Sequence, residues 1–434
     1  MIQRLDLRGT RPTPAELLAT IPRAVTDVTA ASSVAAELIA DVRARGEAAL
    51  FDQAERLDRV RPDNIRVPES EITEALAGLP ADVRAAIEET IRRVRLASAA
   101  QVPPRVTTTI ADGALITQRW QPIRRVGLYV PGGKAVYPSS VVMNVVPAQI
   151  AGVTSIALAS PPQQAFGGRV HPTILAVAGI LGVTEIYAMG GAGAVGAFAY
   201  GVPSLDLDPV QLVTGPGNVY VAAAKRLVRG VTGIDSEAGP TDILVIADAG
   251  ADPLLVAADL VSQAEHDELA AAVLVTDSAE LADAVTARLA ILALSTPHGE
   301  RVTAALSGTQ SAIVLVDDLA AAAAFSNAFG PEHLEIQTRD PHAELALIEN
   351  AGAIFLGPNS PVSLGDYSAG SNHVLPTGGQ ARFSSGLGAY TFLRPQQVVE
   401  YSRDALRGVA ANIAALSAAE DLPAHGAAVT ARFA

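Results

Sequence analysis

Over the first hundred residues the apolar positions recur at helical spacing. Val34, Leu38, Ile39 and Val42 line one face of a helix within 32–56, and Pro80 opens another that carries Val83, Ile87, Ile91 and Val94. Asp112-Gly113, set between 107–110 and 115–119, signals a β-hairpin. The period then changes. Short runs rich in Val and Ile at 127–130, 155–159, 185–189 and 211–213 alternate with helical stretches, which is the pattern of parallel βαβ units. A second series follows at 243–246, 272–275, 312–316, 333–338 and 353–356, with Gly239-Pro240 punctuating the boundary. From Pro395 the pattern predicts helix to about Ala419, broken by Asp421-Leu422-Pro423. Together these predict an α/β fold: two Rossmann-like parallel-sheet domains, N-terminal helices packed on one sheet, and a helical C-terminal tail.

Composition narrows what such a fold can do. A chain of 434 residues is too long for one compact core, which agrees with two domains. The net charge of −14, with no basic run, argues against nucleic acid and anionic membrane as partners. No apolar run reaches the ~18 residues of a membrane span. Residues 1–10 are charged and lack the apolar core of a secretion signal, so a cytoplasmic protein is expected. With no cysteine, disulfides, thiolate catalysis and thiolate-held metals are excluded, and any metal must be held by His, Asp, Glu, Gln or water.

The candidate chemistry centres on Gly330-Pro331-Glu332-His333-Leu334-Glu335-Ile336. Leu334 and Ile336 alternate with polar neighbours, so this segment reads as a half-buried strand. Adjacent strand residues face opposite ways, but the Gly330-Pro331 turn can swing Glu332 onto the side of His333. A carboxylate beside an imidazole at a strand mouth is suited to general-base work. Three glycine turns follow strands: Pro131-Gly132-Gly133, Gly215-Pro216-Gly217-Asn218, and a G-x-G-x-x-G match at Gly191, Gly193 and Gly196. The last lacks a suitable acidic partner, because Asp206 and Asp208 fall in a Pro-flanked loop. Gln263 and His266 are three apart and project from one face of a helical turn. Asp366, His373 and His425 lie in polar, Gly- or Pro-marked settings. Imidazole, carboxylate and amide oxygen suit zinc or a similar ion, although no His pair has a diagnostic metal spacing.

Read together, these segments resemble histidinol dehydrogenases. The resemblance rests on 126–133, Gly215-Pro216-Gly217-Asn218, Ser262-Gln263-Ala264-Glu265-His266, Gly330-Pro331-Glu332-His333-Leu334, Gly365-Asp366-Tyr367, 372–377 and Ala424-His425, in shared order and spacing. It implies oxidation of L-histidinol through L-histidinal to L-histidine, with two NAD+ reduced, as the final step of histidine biosynthesis. By the same resemblance Gln263, His266, Asp366 and His425 would hold one zinc per subunit, with His425 arriving from the partner of a homodimer with shared active sites. Glu332 and His333 would be catalytic. Thr241, Gln263, His266, His333, Asp366, His373, Glu420 and His425 would meet the substrate, and Tyr129, Gly193 and Asn218 the NAD+.

The domain organisation expected on this basis has four parts. They are an N-terminal extension (1–24), a discontinuous first α/β domain with the metal and catalytic residues (25–128 and 241–387), a second α/β domain on the NAD side (129–240), and a tail exchanged between subunits (388–434). Three departures from the family pattern stand out: Gly193 replaces a usual Gln, Thr241 a common Ser, and Asn359 an aromatic residue before Ser360. Two rival readings are a zinc hydrolase in which Glu332 activates water without a nucleotide, and a non-catalytic nucleotide- or metabolite-binding protein descended from the same fold. The first leaves the turns at Gly132 and Gly217 without a purpose. The second leaves Glu332, His333 and the four metal-type residues without one.

Overall fold

A computed structural model describes residues 2–24, 28–132, 136–237 and 239–434. The strands in chain order are β1 (Gln3–Asp6), β2 (Val106–Ala111), β3 (Ala114–Pro122), β4 (Arg125–Tyr129), β5 (Ser155–Ser160), β6 (Ile186–Ala188) and β7 (Leu212–Thr214). They continue with β8 (Gly233–Ile234), β9 (Asp242–Ala247), β10 (Ala271–Thr276), β11 (Ala312–Leu315), β12 (His333–Gln337), β13 (Ala353–Leu356) and β14 (Leu393–Tyr401). Two sheets are wholly parallel: β6-β5-β4-β7-β8 and β1-β11-β10-β9-β12-β13. A third, β14-β3-β2, is antiparallel.

Period-2 alternation divides the side chains of each parallel sheet between two cores. In the five-stranded sheet Val126, Leu128 and Leu158 enter one core, while Tyr129, Ala157, Ala159 and Val213 enter the other. In the six-stranded sheet Leu244, Ile246, Leu334 and Ile336 enter one core, and Ile243, Val245 and Leu274 the opposite one. On β12 this sends His333, Glu335 and Gln337 to the face covered by helix Pro253–Ala264.

The α/β architecture is as expected, but the grouping of its parts is not. The sequence pattern groups the helices of 28–100 with 241–387. Instead, helix Val28–Arg45 packs on helices Gly191–Tyr200 and Val219–Val228, and helix Ala81–Ala100 packs on helix Pro138–Ala151. Both cover the five-stranded sheet, whose first strand begins at Arg125 rather than after 128. Helical periodicity marks an apolar face but does not say which sheet receives it. Strand β1 and helix Pro14–Thr20, from the expected N-terminal extension, belong to the six-stranded sheet and its covering helices. The helix expected from Pro395 is preceded by β14, where Pro395 pairs with Trp120, and helix Arg403–Ala419 begins only at a Ser402 cap. Pro fits there because β14 is an edge strand. Among the described residues no helix is long and apolar enough to cross a membrane.

One buried ion pair fixes a turn of the five-stranded half. Lys225 donates to the Gly215 carbonyl and to Asp235 Oδ1, each at 2.5 Å, while Asp235 Oδ2 accepts the Gly215 N–H at 2.8 Å. Gly215 has φ of 114°, and a Cβ there would lie 2.0 Å from the Tyr129 carbonyl oxygen, so only glycine fits. Lys225→Met would strand a buried carboxylate, and a loss of about 3–5 kcal/mol in urea unfolding is expected. Lys225→Met/Asp235→Leu should recover much of that loss, because the stranded charge goes with its partner.

Candidate active site

The polar centre of the six-stranded half lies at the amino ends of β9 and β12. Gly330 ends helix Leu319–Phe329 in the left-handed region (φ 58°), and Pro331 leads into β12. That turn does what the sequence suggests: Glu332 Oε2 stands 3.7 Å from His333 Nδ1 although the two residues are adjacent. The pair is not hydrogen-bonded to each other. His333 Nδ1 sits 3.0 Å from the Asp242 carbonyl. A carbonyl only accepts, so Nδ1 carries the proton and Nε2 keeps its lone pair. Burial lowers the imidazole's pKa, which favours the neutral ring with an Nε2 lone pair available.

A directional chain of hydrogen bonds joins this pair to Gln263. Thr241 Oγ1 donates to Glu332 Oε2 at 2.5 Å, and the Asp242 N–H donates to the same oxygen at 3.0 Å. Having given its proton to the carboxylate, the Thr241 hydroxyl accepts from Gln263 Nε2 at 2.6 Å. This fixes the orientation of the Gln263 amide and leaves its buried Oε1 without a hydrogen-bond partner. Burial pushes the Glu332 pKa up to about 8 against these donors, and the neighbouring Asp242 up to about 7.

His266, Asp366 and His373 gather around the same centre. His266 has its pKa lowered by burial and feels the charge of Asp366, then of His333. His373 Nδ1 donates to the Asp366 carbonyl at 3.0 Å, so its Nε2 accepts from Ser140 Oγ, also at 3.0 Å. Ser140 opens helix Pro138–Ala151 of the other half, and its carbonyl accepts from Asn144 Nδ2; Asn144 Oδ1 in turn accepts from Thr214 Oγ1 of β7. A relay of side chains therefore links the imidazole-rich centre to the glycine turns. Sequence reasoning missed Asp242, Ser140, Asn144, Thr214 and Lys225. Asp242 alone had a signal, its place beside Thr241 at a strand start.

The residues expected to meet a dinucleotide lie across the gap, at the carboxyl ends of β4, β6 and β7. Tyr129 is buried, its hydroxyl accepts from the Gly191 N–H at 3.2 Å, and burial pushes its pKa up to about 12. Asn218 is exposed and caps helix Val219–Val228 through Oδ1. Of the turn at Pro131-Gly132-Gly133, Gly133 falls outside the described residues. His425 and Glu420 do not join the others: both are exposed on the helical tail. Among the described residues no three His, Asp or Glu side chains stand close enough to enclose a metal.

Comparisons with known proteins give the family. The family model described as histidinol dehydrogenase matches residues 21–433. The histidinol dehydrogenase of Leifsonia xyli subsp. xyli is 69% identical, covering 100% of this chain and 99% of its own. That of Thermobifida fusca is 58% identical, covering 100% and 98%. The crystal structure of histidinol dehydrogenase from Elizabethkingia anophelis matches with a TM-score of 0.92 at 31% identity, over 100% of this chain and 98% of that one. The chain belongs to the histidinol dehydrogenase family. It is thus an oxidoreductase of histidine biosynthesis.

Within the histidinol dehydrogenase frame, Gly193 has a local cause. It sits in the first turns of helix Gly191–Tyr200, buried, and a Cβ there would come within 2.1 Å of Gln53 Oε1 and 3.6 Å of Leu50 Cδ2. Gln53 is itself buried and donates to the Leu38 carbonyl at 3.1 Å. The space a side chain at 193 would need is filled by a glutamine from another helix. Gly193→Gln should therefore cost about 1–3 kcal/mol in thermal or urea unfolding through overpacking. Gln53→Ala in the same chain is expected to restore most of that stability.

Proposed function

We propose that this chain oxidises L-histidinol through L-histidinal to L-histidine at a zinc-containing site, reducing two NAD+ per turnover. The carrying observation is the buried, unpaired Oε1 of Gln263, set beside a neutral His333 whose Nε2 is free to take a proton. An orphaned amide oxygen, an imidazole at His266 and a carboxylate at Asp366 form an oxygen and nitrogen donor set suited to zinc. Gln263 also sits in the last turn of helix Pro253–Ala264, where the partial negative charge of the helix end favours a cation. His425 of the partner subunit would complete the set in a cytoplasmic homodimer, since His425 is exposed on the tail of its own chain.

When bound, zinc would supply a template for the substrate's imidazole and amine, and NAD+ a hydride acceptor. His333 Nε2 takes the hydroxyl proton as the alcohol becomes an aldehyde. Glu332, once ionised, takes a proton from the water that adds to the aldehyde. His373, held by Ser140 and the Asp366 carbonyl, presents a fixed ring to the substrate. Glu420 lies beside the tail histidine in sequence and would reach substrate by the same exchange between subunits. Tyr129, at the end of β4, and Asn218, in the turn after β7, would meet the NAD+. Enclosing both oxidations keeps a reactive aldehyde away from bulk water.

Limiting L-histidinol added to zinc-loaded protein should give two NADH, and none after chelation. One NADH, or none, would overturn the two-step reading. His333→Ala should lower turnover by ~10² or more with zinc content unchanged. Oxidation of histidinal should rise with pH toward a plateau above about 8 as Glu332 loses its proton, and Glu332→Gln should remove that rise.

The exchanged tail has its own test. Mixing His333→Ala with His425→Ala subunits should regain activity to about a quarter of wild type, since half the dimers are mixed and each holds one intact site. Mixtures no more active than either parent would place His425 outside the shared site.

A further inference from the structure

Glu335 points the same way from β12 as His333 and is 1% exposed. Directly or through Gln337, its contacts tie its own strand to two helices. Oε1 accepts the Val362 N–H at 2.9 Å, and Val362 is the first residue of helix Val362–Tyr367, which carries Asp366. Oε2 accepts from Gln337 Nε2 at 2.9 Å, and the same amide donates to Asp259 Oδ2 at 3.1 Å. The Gln337 amide thus bridges the two carboxyl groups, and burial raises both of their pKa values. Gln337 spends its N–H donors on this pair and leaves its own Oε1 unpaired. Asp259 precedes Gln263 by four residues on helix Pro253–Ala264, one turn away on the same face.

We propose that Glu335 is a positioning residue, a single buried carboxyl that holds the helix of Gln263, the strand of Glu332 and His333, and the helix of Asp366 in one register. It touches neither substrate nor cofactor. This rests on the reading that Gln263, His266 and Asp366 bind zinc, and it adds what sets their spacing. Helix Val362–Tyr367 is two turns at most and is held here by one charge-capable hydrogen bond at its first N–H. Without that anchor, Asp366 loses its fixed distance from Gln263 and His266.

Zinc affinity, measured by chelator competition, separates the outcomes. Glu335→Leu should weaken zinc binding 10- to 100-fold, as removal of an outer partner of a metal ligand does. Glu335→Gln, which keeps an acceptor for the Val362 N–H, should stay within about threefold of wild type. If Glu335→Leu does not fold, Val362→Pro takes its place. Proline is tolerated at the first position of a helix but has no N–H to offer Glu335, so it cuts the same bond from the other side. Far-UV dichroism should match wild type for Val362→Pro while zinc affinity falls. Wild-type zinc affinity in both Glu335→Leu and Val362→Pro, or equal losses in Glu335→Gln and Glu335→Leu, would overturn the clamp. Wild-type protein that binds no zinc would instead overturn the metal reading on which it rests.

Discussion

The arrangement turns on the Thr241 hydroxyl, which has one proton to give. It gives that proton to Glu332, so it must accept from Gln263, and the Gln263 amide can then only present its oxygen to the site. A buried amide oxygen with no donor costs free energy unless something electropositive meets it. One shared hydroxyl thus couples the orientation of the Gln263 amide to the Glu332 carboxyl. It also explains why Thr241 serves where a Ser is common: the hydroxyl is what the chain needs, and the extra methyl leaves its two hydrogen bonds in place.

The two halves meet in an unusual sense. The five-stranded sheet offers the carboxyl ends of its strands, where parallel α/β sheets ordinarily bind ligands. The six-stranded sheet offers the amino ends of β9 and β12, with Thr241, Asp242, Glu332 and His333. Helices in such a sheet run opposite to the strands, so the carboxyl terminus of helix Pro253–Ala264 arrives at the same edge. The choice is electrostatic. Helix amino ends favour the phosphates of a dinucleotide, and a helix carboxyl end favours a metal cation and a cationic amine. Hydrogen bonds from Asn372 Nδ2 to the Met143 carbonyl and from Gln380 Nε2 to the Glu237 carbonyl hold these opposite edges against each other.

Much of this was legible in the residues because local rules were enough. The alternation of Leu334 and Ile336 placed β12, and Gly330-Pro331 foretold the swing of Glu332. What stayed hidden depends on long-range choices. The short strands β1 and β8 and the Pro-containing β14 carry too few alternating positions to be told from loop or helix. The helices of 28–100 show an apolar stripe, but nothing in that stripe distinguishes one parallel sheet from another. Asp242 offers its backbone carbonyl to His333, its N–H to Glu332 Oε2 and its own Oδ1 to the Glu332 N–H, and all three depend on β9 and β12 lying side by side, about ninety residues apart in sequence. His425 lies exposed on the helical tail, apart from the other candidate ligands of its own chain.

Gly193 shows how a motif can be true in letters and different in cause. Gly191-x-Gly193-x-x-Gly196 reads as a phosphate cradle, yet only the first glycine borders open space: a Cβ at Gly191 would meet nothing within 4 Å, while Gly193 and Gly196 face Gln53 and Ile39. The second and third glycines therefore serve the packing of helix Val28–Arg45 and Gln53 against helix Gly191–Tyr200, not the approach of a pyrophosphate. The Gln53 amide oxygen stands where a side chain at 193 would begin, and Gln53 Nε2 is anchored to the Leu38 carbonyl. Glycine at 193 is therefore fitted to Gln53, and of the three glycines only Gly191 stands at the open end, where its N–H meets the Tyr129 hydroxyl.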